Sequence, residues 1–163
     1  MNNMMKEQED QGLEYENAYL DSNLFIYATL DEGNIGESAR KVINIIKNGN
    51  FLTYTSVLTI DEVLWKTQKV LGREKAAEIS NDFLNLNNLQ LISVDLQIMR
   101  EAIINYTKEK LAPRDSIHLA CMNKKKLNFI ISSDPDFDKV KDIKRIDFTK
   151  VKYIQSDENG NKK

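Results

Sequence analysis

The sequence predicts an α/β fold built on a mostly parallel sheet of about five strands. Short apolar runs alternate with longer amphipathic runs, which is the pattern of β-α-β units. Gly49 and Gly72 follow two of the helical runs and Pro113 precedes a third, where helix ends and starts favour these residues. With 163 residues, 41% of them hydrophobic, the chain is long enough for one continuous core and short for two.

The elements follow from these runs in chain order. The predicted strands are the short apolar runs: Ala18–Asp21, Phe51–Thr55, Leu89–Val94, Phe129–Ser132 and Arg145–Phe148. The predicted helices are the longer amphipathic runs: Asn23–Leu30, Ile35–Lys47, Val57–Val70, Glu74–Leu86, Asp95–Lys110 and Ser116–Lys125. Most strands are separated by helices, so the connections suit parallel pairing.

Both ends of the chain are expected to be disordered tails. Residues 1–17 carry five acidic side chains and few apolar ones, so burial does not offset the entropy lost when they are ordered. Residues 156–163 have the same character. The folded domain is therefore predicted to span residues 18–155.

Composition excludes several classes of protein. The single cysteine, Cys121, cannot form an intramolecular disulfide or a cysteine-rich zinc site, which fits a reducing cytoplasm. No run approaches the roughly 18 apolar residues of a membrane span, and the acidic N-terminus lacks the order of a signal peptide. We expect a cytoplasmic protein that does not act in a membrane.

Charge is unevenly distributed along the chain. The formal net charge is −2, but residues 1–40 carry two basic and nine acidic side chains, whereas residues 101–152 carry twelve basic and eight acidic ones. A basic C-terminal half around a few carboxylates suits a ligand that bears phosphate groups. A solvated lysine-rich surface explains the same pattern.

Two aspartates stand where strands end or helices begin. Asp21 closes the first predicted strand, and Asp115 opens a predicted helix. Open α/β sheets bind ligands at the carboxyl ends of their strands, so both are candidate site residues. Both are also typical helix N-caps. Ser22 or Asn23 can cap the first helix in place of Asp21.

Two further acids are candidates with structural alternatives. Glu62 lies in a helix and points away from Ile60 in its apolar stripe, so it faces either a cleft or solvent, with Asp61 as the alternative ligand. The stripe is predicted from five residues: Val57, Ile60, Val63, Leu64 and Val70.

Asp134 follows the strand Phe129–Ser132 and opens a turn with two more aspartates. A span this short cannot supply three ligands to one site. Asp136 precedes a helical turn and is expected to cap it, and Asp138 is expected to be solvated or paired with an arginine. Asp134 is therefore the candidate site residue of the turn.

Four segments together carry a resemblance to a known family. They are Tyr19–Asn23, the Thr55–Ser56 entry into the helix that bears Glu62, Arg114–Ala120 and Ile130–Asp138. The span from about Ala18 to Lys152 resembles the PIN-domain family, and most closely its VapC-like toxin ribonucleases. The acidic N-terminal tail has no counterpart in the family pattern.

The resemblance implies a structure and an activity. The fold is expected to be a three-layer α/β/α sandwich. The site is expected to hold Mg²⁺ or Mn²⁺ through Asp21, Glu62, Asp115 and Asp134. The substrate is expected to be RNA, and the partners are expected to be a second copy of the chain and a small antitoxin protein.

The chemistry suits these residue types. Phosphodiester hydrolysis needs a nucleophilic water near neutral pH and compensation for charge on the phosphoryl oxygens, and a divalent cation supplies both. Mg²⁺ prefers oxygen ligands and keeps several waters, so a few carboxylates suffice. The lack of a second histidine or a cysteine pair argues against zinc.

Polar neighbours of the four acids are candidates for supporting roles. Ser22, Asn23 and Ser132 are candidates to position a water or a phosphate oxygen. Arg114 either neutralises the carboxylates and grips phosphate or is an ordinary surface arginine. His118, three residues after Asp115 on the same helix, is either a general acid or a buried side chain that fills space.

We therefore hypothesise a metal-dependent endoribonuclease that cuts RNA by attack of water, leaving a 5′-phosphate and a 3′-hydroxyl, and that an antitoxin restrains. One alternative is a non-catalytic PIN-fold module that binds RNA or protein. Another is a PIN-like nuclease of RNA processing or of structured DNA.

Overall fold

The computed structural model of the protein describes residues 17–49 and 52–150. Its strands are β1 (Asn17–Leu20), β2 (Leu52–Ser56), β3 (Leu89–Ile92), β4 (Phe129–Ile131) and β5 (Lys144–Ile146). Its α-helices are α1 (Ser22–Leu30), α2 (Asn34–Asn48), α3 (Val57–Leu71), α4 (Arg73–Leu84), α5 (Leu96–Lys108) and α6 (Pro113–Lys124). A 3₁₀ helix, Pro135–Lys139, lies between β4 and β5. The predicted tails, except Asn17 in β1, fall outside the described residues.

The strands form one sheet in which every pairing is parallel, in the order β3-β2-β1-β4-β5. β1 is central, with Tyr19 opposite Tyr54 of β2 and Ile130 of β4. The chain therefore runs outwards from β1 on one side and returns to its other side, which places a topological switch between β1 and β4. The predicted α/β fold is confirmed, and the sheet is wholly parallel.

Helices cover both faces of the sheet. On one face, β1 residues Ala18 and Leu20 pack with apolar residues of the first three helices, such as Phe25, Ile46 and Val63. On the other face, the alternate β1 residue Tyr19 packs with residues of α5 and α6 in a second cluster. Because neighbouring strand residues point to opposite faces, one short strand contributes to both layers of core.

Two details of the helices differ from the sequence-based expectation. Helix α6 begins at Pro113 rather than Ser116, because proline fits the first helical turn, where its missing N–H is not needed. Helix α3 buries Thr59, Val63 and Thr67, so only Val63 of the predicted apolar stripe is buried. The threonines are buried because their hydroxyls find partners: Thr67 Oγ1 donates to the Val63 carbonyl at 2.7 Å.

The corner between α1 and α2 depends on a glycine. The Asp31 carboxylate accepts hydrogen bonds from the backbone N–H groups of Gly33 and Gly36, each at 2.8 Å. A Cβ on Gly36 would lie 1.8 Å from the Asp31 carbonyl oxygen, so the two helices can approach this closely only because Gly36 has no side chain.

No helix among the described residues is long and apolar enough to cross a membrane.

Candidate functional site

Asp21 occupies the carboxyl end of the central strand. Its backbone N–H donates to the Ile131 carbonyl of β4 at 3.1 Å, and its Oδ1 accepts from the Ser22 N–H at 2.6 Å. Asp21 itself therefore caps α1, rather than Ser22 or Asn23. The two interpretations of Asp21, as a cap and as a site residue, are compatible because Oδ2 faces other groups.

Two side chains donate hydrogen bonds to Oδ2 of Asp21. The Ser132 hydroxyl donates to it at 2.5 Å and the Asn23 amide at 2.7 Å. The same amide donates to Ser132 Oγ at 3.0 Å. Asp21 and Ser132 are both buried. The strand ends of β1 and β4 are thus joined by a compact polar cluster at the switch point of the sheet.

The environment of Asp21 disfavours its negative charge. Burial raises the pKa of this carboxyl, and the charge of Glu62 adds to the effect. His118 and the hydrogen bonds from Ser132 and the Ser22 backbone act in the opposite sense, but the pKa remains above its ordinary value. A bound cation would reverse this balance.

Glu62 faces the same region from α3. Its side chain is only 12% exposed. Oε1 lies 3.0 Å from His118 Nε2, and Oε2 accepts from the Ser22 hydroxyl at 3.3 Å. Arg114 Nη1 lies 3.8 Å from Oε2. Glu62 therefore faces the cleft rather than solvent, whereas the alternative ligand Asp61 is exposed.

His118 is buried, as one of its two sequence-based interpretations expected, but the sequence did not indicate its hydrogen-bond partners. Its ring is 1% exposed and bridges two groups, with Nδ1 2.7 Å from the Tyr19 hydroxyl and Nε2 3.0 Å from Glu62. Burial lowers the pKa of His118, but the bond to Glu62 and the charges of Asp21 and Asp115 outweigh burial and raise it. The only available signal was its spacing of three residues from Asp115 on a helix.

Asp115 lies in the first turn of α6 and is not its cap, because Ala112 occupies the N-cap position. Burial raises the pKa of Asp115 to about 6, aided by the negative charges of Asp21, Asp134 and Glu62 against the opposing effect of His118. The four predicted site carboxyls are therefore near enough to repel one another.

Asp134 connects the site to the turn after β4. Its N–H donates to Ser132 Oγ at 2.9 Å, and its carboxylate caps the 3₁₀ helix by accepting from the Asp136 N–H at 2.9 Å. Asp136 was expected to be this cap; instead it lies inside the helix and pairs with Lys139 at the surface. Asp136 cannot be the N-cap because the 3₁₀ helix already begins at Pro135, one residue before it.

Arg145 of β5 braces this turn. Its guanidinium forms two hydrogen bonds with the Asp138 carboxylate, at 2.9 and 2.7 Å, which confirms the arginine pairing of Asp138. Nη1 also donates to the Ser132 carbonyl at 3.1 Å. Through Arg145, strand β5 thus fixes the backbone at Ser132.

The cluster has the chemistry of a site for a hard divalent cation without a ready-made ligand cage. Among residues 17–49 and 52–150, no three acidic, histidine or cysteine side chains stand together in positions that hold a metal ion. The donors are nevertheless carboxylate and hydroxyl oxygens, which Mg²⁺ and Mn²⁺ prefer. Burial, together with the charges of the neighbouring carboxylates, raises the pKa of Asp115, so its negative charge is disfavoured without a partner and the residues fit a cation.

Comparison with known proteins agrees with the fold. A family model described as PIN domain matches residues 18–143. The fold is similar to that of VapC20 of Mycobacterium tuberculosis, a toxin that cleaves the sarcin-ricin loop, with 14% identity and a TM-score of 0.63 over 74% of this chain and 92% of that one. A comparison with curated proteins finds no significant match.

Two further structures share the fold. DNA-bound VapBC of Salmonella typhimurium has 16% identity and a TM-score of 0.62, over 82% of this chain and 99% of that one. A toxin–antitoxin complex from Klebsiella pneumoniae has 17% identity and a TM-score of 0.59, over 80% and 97%. At these identities the likeness concerns the fold, and nearly all of each matched chain is represented here.

Proposed function

The chain belongs to the PIN-domain family, and we propose that it is an endoribonuclease that depends on Mg²⁺ or Mn²⁺. The observation that carries the proposal is the set of four carboxyls at one edge of the sheet. Burial raises the pKa of Asp115 to about 6, and the charges of the other three, Asp21, Asp134 and Glu62, add to the effect. Such an accumulation of like charge is unfavourable in a folded protein unless a ligand uses it.

The residues proposed to hold the cation are Asp21, Asp115 and Asp134, with Glu62 as a further ligand or as a base that orients water. A cation bound there supplies a water of lowered pKa and neutralises charge on the phosphate. Hydrolysis of the phosphodiester forms a bond from water oxygen to phosphorus and breaks the bond to the 3′ oxygen. The products are a 5′-phosphate and a 3′-hydroxyl.

The remaining polar residues have supporting roles in the proposal. Ser132 and Asn23 hold Oδ2 of Asp21 in one orientation, so that this carboxylate does not lose side-chain freedom when a ligand arrives. Ser22 connects Asp21 to Glu62 through its hydroxyl. Arg114 has a half-exposed side chain beside Glu62, where it is placed to meet a phosphate.

We also propose that a small antitoxin protein restrains the nuclease. Support comes from the structural neighbours, several of which are described as toxin–antitoxin or VapBC complexes. Co-expression with the product of any small open reading frame that adjoins the gene is expected to yield a complex that survives size-exclusion chromatography. A chain that elutes free of that product would contradict the antitoxin proposal.

A homodimer is proposed as the second assembly. Helix α5 exposes large apolar side chains in the single chain: Leu96, Ile103, Ile104 and Tyr106 are 51 to 68% exposed. A second copy of the chain is proposed to cover this face, because apolar patches of this kind mark association surfaces. Light scattering is expected to give a particle mass twice that of one chain. The Ile103→Glu variant is expected to give the mass of a single chain.

The nuclease proposal is tested with purified variants on RNA and DNA substrates. Asp21→Asn and Asp115→Asn are expected to lose most Mn²⁺-dependent cleavage of RNA, because each removes a ligand charge but keeps side-chain volume. Asp82→Asn, on the exposed face of α4, is the matched control and is expected to cleave like the parent.

The outcomes separate the alternatives. If the parent protein cleaves DNA but not RNA, DNA replaces RNA as the proposed substrate. Cleavage that persists in EDTA, or an Asp21→Asn protein as active as the parent, would overturn the proposed site. Binding of RNA without any cleavage by the parent would favour the non-catalytic module.

A further inference from the structure

We propose that Tyr19 and His118 are positioning residues that orient the Glu62 carboxylate through a continuous chain of hydrogen bonds. The inference rests on the proposed role of Glu62 in the nuclease site and extends that site to a tyrosine in the core of the sheet. Tyr19, His118 and Glu62 are called the orienting chain below.

The geometry of the orienting chain is continuous from core to cleft. The Tyr19 hydroxyl lies 2.7 Å from His118 Nδ1, and His118 Nε2 lies 3.0 Å from Glu62 Oε1. Tyr19 is 0% exposed, the His118 side chain 1% and the Glu62 side chain 12%. These contacts come from β1, α6 and α3, so three elements that are remote in sequence fix one carboxylate.

The chemistry of the groups sets the direction of the hydrogen bond to Glu62. An ionised carboxylate only accepts, so Nε2 of His118 must carry the proton that faces Glu62. In the neutral ring Nδ1 then accepts from the Tyr19 hydroxyl, and in the charged ring Nδ1 donates to the same hydroxyl. A buried ring nitrogen without a partner is costly, so the Tyr19 hydroxyl holds the ring in the orientation that serves Glu62 in either form.

The orienting chain has a consequence for the cleft. With Oε1 held by His118, the other oxygen of Glu62 is directed towards the Ser22 hydroxyl, which also contacts Asp21. Glu62 is therefore fixed on the side of the proposed metal ligands before any ligand binds. Groups that orient metal ligands commonly affect metal affinity and activity by about 10- to 100-fold.

A role in packing alone does not require the Tyr19 hydroxyl. The ring lies in the apolar cluster with residues such as Ile98 and Ile130. Phenylalanine would fill that volume without burying a polar group, and an unpaired buried hydroxyl is unfavourable. The hydroxyl therefore points to a function of its hydrogen bond, and Tyr19→Phe isolates that bond.

The first experiment observes the ring directly. His118 is the one histidine in the sequence, so the imidazole nitrogens of the labelled full-length protein give unambiguous ¹⁵N signals. The signals are expected to show a protonated Nε2. Glu62→Gln is expected to shift the Nε2 signal, and Tyr19→Phe the Nδ1 signal.

Matched neighbours serve as controls for the spectra. Asp61→Asn changes the exposed acid next to Glu62, and Tyr54→Phe changes the tyrosine paired with Tyr19 across β1 and β2. Both controls are expected to leave the two signals in place. An unprotonated Nε2 in the parent, or equal shifts in variants and controls, would overturn the orienting chain irrespective of nuclease activity.

The second experiment measures what the orientation does. Tyr19→Phe is expected to lower kcat for RNA cleavage and Mn²⁺ affinity by about tenfold while KM for RNA changes little. His118→Gln keeps a donor near the Nε2 position, whereas His118→Asn does not reach Glu62. The Gln variant is therefore expected to retain more activity, although both remove the ring.

The outcomes distinguish this inference from the proposed function. If the parent cleaves RNA and Tyr19→Phe matches Tyr54→Phe in kcat and Mn²⁺ affinity, the orienting chain is refuted and the nuclease stands. If the parent does not cleave RNA, the proposed function fails, and the ring spectra still decide whether the chain exists. Thermal unfolding of each variant checks that lost activity is not lost folding.

Discussion

The Ser132 hydroxyl donates to Oδ2 of Asp21 at 2.5 Å and accepts from the Asp134 backbone at 2.9 Å. One buried oxygen thus connects two of the proposed metal ligands, from strands that are adjacent in space and separated by most of the domain in sequence. The cluster around Asp21 depends on Ser132 as much as on the acids.

Ser132→Ala is expected to weaken both folding and cation binding. The lost hydrogen bond to a carboxylate is worth about 1.5–3 kcal/mol. The bond also lowers the pKa of Asp21, so its removal raises that pKa further and increases competition from protons. Urea unfolding and calorimetric Mn²⁺ titration measure the two effects.

Ser133→Ala is the matched control for Ser132→Ala, because only the backbone of Ser133 contacts Asn23 and alanine keeps that contact. We expect it to bind Mn²⁺ like the parent. Equal Mn²⁺ affinity in the two variants would contradict the role assigned to Ser132.

Asp115→Asn is expected to stabilise the metal-free protein at neutral pH. Folding raises the pKa of Asp115 from 3.8 to about 6. The neutral carboxyl is therefore favoured in the folded state, so its contribution to stability is present below 3.8 and is lost as the pH rises through about 6. Asparagine does not ionise, so the Asp115→Asn protein does not lose this stability as the pH rises.

Urea unfolding in EDTA at several pH values tests this expectation. The Asp115→Asn midpoint is expected to exceed that of the parent above about pH 6, and the difference is expected to shrink towards about pH 4. Asp82→Asn is expected to follow the parent throughout. A destabilised Asp115→Asn protein at neutral pH would contradict the raised pKa inferred for Asp115.

Arg145→Lys is expected to loosen the turn that carries Ser132 and Asp134. Lysine cannot reproduce the paired hydrogen bonds to Asp138 together with the bond to the Ser132 carbonyl. The loss of the last bond alone costs about 1–2 kcal/mol. The melting temperature and the rate of RNA cleavage are both expected to fall.

Lys139→Gln removes an exposed ion pair, with Asp136, in the same turn and serves as the comparison for Arg145→Lys. Exposed pairs of this kind contribute little. The turn would not depend on Arg145 if both variants unfolded at the same temperature.

Gly36→Ala is expected to destabilise the fold although alanine favours helices. The helix preference gains about 1 kcal/mol. The new Cβ would lie 1.8 Å from a backbone oxygen of Asp31, which cannot move aside as a flexible side chain can. The cost is about 3 kcal/mol, so the clash outweighs the gain.

Gly33→Ala, where the nearest atom is an Asp31 side-chain oxygen at 3.3 Å, is expected to change stability much less. Comparison of the two melting temperatures tests the close approach of α1 and α2. A Gly36→Ala protein as stable as the parent would contradict it.

The sheet and its helices were predictable because their signals are local. Apolar runs and the positions of glycine and proline predicted the five strands and six α-helices of the described residues to within a few residues of their ends. The stripe of α3 was right only at Val63, because Thr59 and Thr67 are buried through hydrogen bonds and hydropathy alone does not identify a hydroxyl that has a partner. The start of α6 shifted because Pro113 is itself helical.

The site was predictable only in part. Residue type and position near strand ends indicated the acids, and Ser132 and Asn23 were recognised as polar neighbours. The bond from His118 to Tyr19 spans 99 positions of sequence, and a tyrosine in a strand resembles any other core aromatic. The role of the Tyr19 hydroxyl becomes recognisable only in the fold, where the sheet places it next to His118 of α6.

The pairing of β1 with β4 also has a consequence for protein synthesis. A nascent chain that ends before Phe129 contains Asp21, Glu62 and Asp115 but lacks Ser132 and Asp134, and the central strand has one open edge. The cluster therefore stays incomplete on the ribosome while about the last sixth of the described residues, from Phe129 onwards, is still to emerge. A cell that makes this protein therefore has that interval in which a binding partner can reach it first.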